Sequence, residues 1–146
     1  MIKQTNQKGF TLIELLVVIG ILTVLLSIVL VAINPSRQFS QANNTQRRSD
    51  VSAILNAIHQ YAADHKGSLP AGITTSSLVI KKTGGADICS LLIPTYIAAL
   101  PTDPTTGTTF TDCTAYDTGY SVIKNADNRV TVTATAELSE VISVTR

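Results

Sequence analysis

Glu14 is the only charged residue between positions 10 and 33 of this 146-residue chain, and every neighbour within three positions of it except Thr11 is apolar. A lone carboxylate in a run of that length is costly in a membrane and needs a partner or a purpose. The purpose that fits best is subunit assembly. Gly9 closes a short basic segment (Lys3, Lys8, no acid) directly before Phe10. A glycine lets the backbone enter a protease site in extended form without a side chain to exclude it. Two cysteines, Cys89 and Cys113, are the remaining reactive pair.

The elements that must position these groups are legible in the composition. Residues 10–33 depart from apolar only at Thr11, Glu14, Gly20, Thr23 and Ser27. As a helix that stretch spans roughly 36 Å, enough to cross a bilayer core. Basic flanks stay in the cytoplasm, so residues beyond the run face outward. An ordinary secretory signal fits poorly, because the run is too long, carries a glutamate and lacks an A-x-A-like exit. A plain anchor with an idle glutamate is the simpler alternative.

Gly9-Phe10-Thr11-Leu12-Ile13-Glu14 resembles the processing site of type IV pilins and the related type II secretion pseudopilins. The resemblance implies cleavage after Gly9 by a prepilin peptidase and N-methylation of Phe10. It also implies a meeting of Glu14 with the N-terminal amine of a neighbouring subunit. It extends to a long N-terminal helix, to Leu100-Pro101-Thr102-Asp103-Pro104 and to a C-terminal β region. The implied fold is α+β: one long helix, membrane-spanning in its first half, packed on a small antiparallel sheet. The expected divisions are a cleaved leader (1–9), a membrane and filament-core half-helix (10–33), an amphipathic half-helix (34–65) and a globular head (66–146).

Past the apolar run, Asn34-Pro35 either bends the long helix or ends it and starts another. Val51, Ile54, Leu55, Ile58, Tyr61 and Ala62 follow helical spacing, with Arg47, Arg48, Asp50, Asn56, Gln60 and Asp64 expected mostly on other faces. Lys66-Gly67 signals a stop near His65. A short strand is expected around Leu78-Val79-Ile80, a short helix over 87–92 and a further turn over 95–99. Strands are expected around Tyr116, Tyr120 and Val122, then over 130–136 and 141–145, with a turn at 125–128.

Residues beyond the membrane face an oxidising compartment, so Cys89 and Cys113 are expected to form a disulfide. Closing a loop of about 25 residues stabilises by roughly 3–4 kcal/mol on the chain-entropy estimate. Some pseudopilins hold calcium near their C-terminal loops, so the resemblance raises calcium as a cofactor for Asp103, Asp112, Asp117 and Asp127. No ligand spacing marks a site, and solvated loop carboxylates are the simpler reading. His59 and His65 read as a partly buried side chain and a last-turn residue. There is no Ser-His-Asp, Cys-His or paired-carboxylate constellation and no phosphate loop, so the chain reads as a non-enzyme. A net charge of +1 gives no footprint for nucleic acid.

The expected function is a structural subunit of a type IV pilus-like filament. The alternatives are a type II secretion pseudopilin and a membrane-tethered binding module that never polymerises. Expected partners are copies of itself and related pilins, the peptidase, inner-membrane assembly machinery and, before assembly, lipid. The expected location is the cytoplasmic (inner) membrane, single-pass with the C-terminus outside, and then an extracellular or periplasmic filament.

Overall fold

The computed structural model describes residues 9–146; residues 1–8 of the expected leader, with Lys3 and Lys8, lie outside them. The chain divides into two compact units, Met1–Gln38 and Phe39–Arg146. The first holds α1 (Leu12–Ile33) and the opening of α2 (Pro35–Asp64). The second holds the rest of α2, β1 (Leu78–Lys81), α3 (Cys89–Leu92), β2 (Asp117–Lys124), β3 (Val130–Ala134) and β4 (Ile142–Thr145).

α1 is long and apolar enough to cross a membrane, and each of its residues is exposed. Its internal hydroxyls bond to the helix's own backbone, Thr23 Oγ1 to Gly20 O and Ser27 Oγ to Thr23 O, both at 2.8 Å. That satisfies them where lipid offers no partner. The helix does not run unbroken to residue 65. Asn34 takes the left-handed conformation (φ 49°) and separates α1 from α2. Two local effects cause the break. Proline disfavours helical backbone in the residue before it, and asparagine tolerates the left-handed region. Pro35 then opens α2, where a missing N–H costs nothing. Arg37 N donates to Asn34 O at 3.1 Å, and Ser36 Oγ donates to Asn34 Oδ1 at 2.8 Å. Of the two readings of Pro35, the helix end with a new start is the one observed.

In the second unit, Val51, Ile54, Leu55, Ile58 and Ala62 of α2 are buried, as their spacing predicts. They join Ile80, Leu92, Leu100, Tyr120, Val122, Val130, Val132 and Ile142 in one core, apart from Ala62. The sheet is antiparallel throughout, in the order β1-β2-β3-β4. Inward Thr118, Tyr120 and Val122 of β2 alternate with outward neighbours, and Val130 and Val132 alternate with Thr131 and Thr133. β3 ends at Ala134, two residues earlier than its composition suggests, and β4 starts at Ile142. The expected helix over 87–92 is the single turn α3, beneath which the Tyr116 hydroxyl accepts from Ile88 N and donates to Asp87. Burial, with Asp87 beside it, pushes the Tyr116 phenol up to about 12.

Candidate functional site

Gly9 and Phe10 precede the first helical turn, are non-helical and are exposed, Phe10 to 86%. Thr11 is the N-cap, and Glu14 is the third residue of α1. The Thr11 hydroxyl accepts from Glu14 N at 3.2 Å, and the Glu14 carboxylate accepts from Thr11 N at 2.8 Å and Thr11 Oγ1 at 2.7 Å. This is a capping box, and it satisfies two backbone donors that the helix start leaves open. The T-x-x-E spacing is the signal for it in the sequence. Among the described residues no cation pairs with Glu14. Among those residues the carboxylate is hydrogen-bonded but not paired with a cation.

The head handles charge the opposite way. Arg47, expected away from the core, is 1% exposed on α2, and Asp103, expected in a solvated loop, is 2% exposed. Arg47 Nε and Nη2 form a fork onto Asp103 at 2.6 and 3.1 Å. Nη1 reaches Asn44 Oδ1 at 3.0 Å and Glu137 Oε1 at 2.9 Å, and Nη2 reaches Thr105 Oγ1 at 2.6 Å. All five guanidinium donors are therefore used. Asp103 Oδ1 also accepts from the amides of Thr105 and Thr106, each at 2.9 Å. Burial alone would raise the Asp103 carboxyl. The guanidinium, those amides and the Thr105 hydroxyl outweigh it and hold the group well below the ordinary carboxylate range. Glu137 is held low by Ser40, Asn43 and Arg47.

The prolines on either side of Asp103 stiffen the loop that delivers it. Glycines let that loop lie against β2. A Cβ on Gly107 would come within 2.7 Å of Asp103 N, and one on Gly119 (φ 74°) within 2.9 Å of Asp103 Cβ. The Leu-Pro-x-Asp-Pro segment is thus an ion-pair anchor between the loop and α2. The sequence held one clue: Asn44, Arg47, Val51, Ile54 and Ile58 continue a single 3–4–3–4 stripe, so Asn44 and Arg47 sit on the core face.

The other loop and strand acids proposed for calcium each bond to nearby backbone. Asp112 accepts from Thr114 N at 2.7 Å, Asp117 from Gly119 N at 3.0 Å and Asp127 from Arg129 N at 3.3 Å. Among the described residues no three His, Cys, Asp or Glu side chains are grouped to hold a metal. Cys89 and Cys113 form a disulfide, which ties the buried start of α3 to the loop before β2. His65 stacks on Tyr61 with ring centroids 3.9 Å apart, and His59 is partly buried.

A family model described as the prokaryotic N-terminal methylation motif matches residues 4–30. Among curated proteins, the type II secretion system core protein G of Aeromonas hydrophila is 32% identical over 102 residues, 70% of each chain. The protein of that name from Pseudomonas aeruginosa is 33% identical over 102 residues, again 70% of each. No solved structure matches. The match at the start of the chain and the alignment with these relatives agree with the helix-and-sheet architecture, and the chain belongs to the family of type IV pilins and type II secretion pseudopilins.

Proposed function

We propose that this filament subunit is made as a precursor, cut after Gly9 by a prepilin peptidase, N-methylated at Phe10 and assembled through α1 into a type II secretion pseudopilus. The observation that carries the proposal is α1 itself. It is an apolar helix with no buried face, and among the described residues no cation pairs with its single carboxylate. Such a helix is stable in lipid or in a bundle of like helices, and transfer between the two keeps it from water. In that bundle a neighbour's Phe10 amine would neutralise Glu14. The head stays on the outer side of the membrane and forms the filament surface, where an oxidising compartment suits the disulfide. Its role is structural, without catalysis.

The named relatives and the anchored Leu-Pro-x-Asp-Pro loop favour secretion. The disulfide and the threonine-rich head favour the second reading, a surface pilus. Deleting the gene and assaying secreted proteins separates them. Loss of secretion, restored by the wild-type chain, is expected. Intact secretion with loss of long filaments from sheared cells would establish the pilus instead. Gly9→Arg is expected to stay full-length in the membrane, and normal processing of it would remove the cleavage assignment.

A further inference from the structure

The connection between β3 and β4 lies on α2 but adds no side chain to the core between its two ends. Ala136 packs against the core cluster and Ile142 belongs to it, whereas Leu138 and Val141 are exposed. Glu140 N donates to Glu137 O at 3.3 Å and closes a tight turn, whose central residues Leu138 and Ser139 have φ of 59° and 57°. Left-handed backbone at two successive positions favours glycine and asparagine, as in type I′ turns. A leucine and a serine there are strained and persist only where surrounding contacts hold them.

The contacts that hold this turn to α2 are polar. Asn44 pairs with the Glu137 backbone through both halves of its amide, donating to O at 2.8 Å and accepting from N at 2.9 Å, and it donates to Glu140 Oε2 at 3.1 Å. Asn43 and Arg47 donate to Glu137 Oε1 at 3.0 and 2.9 Å, and Arg48 pairs with Glu140. Water reaches both ion pairs, because the Glu137 and Glu140 side chains are 31% and 35% exposed. Salt screens such pairs far more than buried ones. The rest of the head has its own ties. Without Glu137, Arg47 keeps its buried fork on Asp103 and its bond to Thr105. β4 keeps its register with β3, from Ala134↔Ile142 to Thr131↔Thr145. Strained backbone held by water-facing polar bonds opens at lower cost than a packed core.

We propose that residues 137–141 are a strap that opens and closes on α2 while the rest of the head stays folded, so that ionic strength governs access to Asn44 and Arg47, which the closed strap keeps buried. Asn44 is the latch, because it alone grips the strap's backbone from α2. The left-handed pair Leu138 and Ser139 is the spring, because opening releases its strain.

Hydrogen exchange on the full chain in detergent tests this, read by mass spectrometry over the strap and over β2 and β3. In the wild type the strap amides are expected to exchange at least about tenfold faster than those of β2 and β3. Raising sodium chloride from about 0.1 to about 1 M should speed the strap by about threefold or more and leave the strands unchanged. Asn44→Ala should speed the strap by about tenfold relative to the strands. Leu138→Asn, which suits left-handed backbone, should slow it about threefold. Strap amides that exchange in step with β2 and β3 in every sample would overturn the proposal, because the turn would then open only with the whole head. Strap exchange indifferent to salt and to Asn44→Ala would overturn it as well, because α2 would then not latch the turn. If Asn44→Ala unfolds the head, the salt series on the wild type decides. Exchange in Leu138→Asn no slower than in the wild type would overturn the spring.

Discussion

Glu14 and Asp103 are carboxylates in two regions that treat charge oppositely. Asp103 is buried, and its cation, Arg47, comes from the same chain fifty-six residues earlier. Glu14 stands on an exposed apolar helix and is held only by the Thr11 hydroxyl and amide. The head buries most of its apolar side chains, leaving Phe39, Leu138 and Val141 as the large ones exposed, and its buried arginine has every donor used. α1 has its apolar surface outward, and among the described residues no cation pairs with its one charge. On the proposed function the difference assigns stability and assembly to separate acids, so each should be open to perturbation without the other.

The largest expected effect lies at Glu14. Glutamine at the third helical position keeps a capping box but removes the charge, whereas valine removes both. Both variants are expected to be cleaved normally. Leaving an unpaired amine in the bundle costs about 3–5 kcal/mol, so filament yield from either should fall by about a hundredfold or more. Wild-type yield from Glu14→Gln alongside poor yield from Glu14→Val would show that helix capping, not charge, is the role of Glu14.

Next comes Asp103→Asn, which strands the buried Arg47 guanidinium. Thermal melting of the full chain in detergent should show the head destabilised by about 3–5 kcal/mol, with processing unchanged. A loss below about 1 kcal/mol would mean that the anchor is dispensable.

A smaller effect follows from pH. A carboxyl whose folded pKa is depressed contributes stability that is complete above its unfolded pKa, about 4, and is lost as pH falls from there towards the folded value. Asp103 and Glu137 are both held low, so the head's melting temperature should decline below about pH 4. The decline should be shallower in Asp103→Asn, and equal slopes would contradict the assignment to Asp103. Smallest of all is Arg48→Ala. Its bridge to Glu140 is exposed, and the variant should cost less than about 1 kcal/mol in the same melt.

The sequence made α1 plain because twenty-two nearly uninterrupted apolar residues have few other solutions. The strands were legible from alternation, since Tyr120, Val122, Val130 and Val132 need one common face to be buried. The stretch around Gly9, Phe10 and Glu14 was legible as a family motif, which the match over residues 4–30 bears out, but the apolar context hides the capping role of Thr11. The break at Asn34 needed the joint effect of a residue tolerant of left-handed backbone and the proline after it, and neither alone decides between a bend and an end. Arg47 and Asp103 are buried against expectation for a different reason. Charged residues are normally solvated, and their pairing is a tertiary fact with no local signature. Only the 3–4–3–4 stripe through Arg47 pointed inward.

The central claim is that cleavage after Gly9 creates on each subunit a charged amine, which supplies Glu14 with the cation that no described residue provides. Intact-mass measurement with N-terminal fragmentation on the chain recovered from filaments tests it most directly. The predicted result is a chain that begins at Phe10 and carries one added methyl group on its amine. A chain in polymerised material that still begins at Met1 would contradict it.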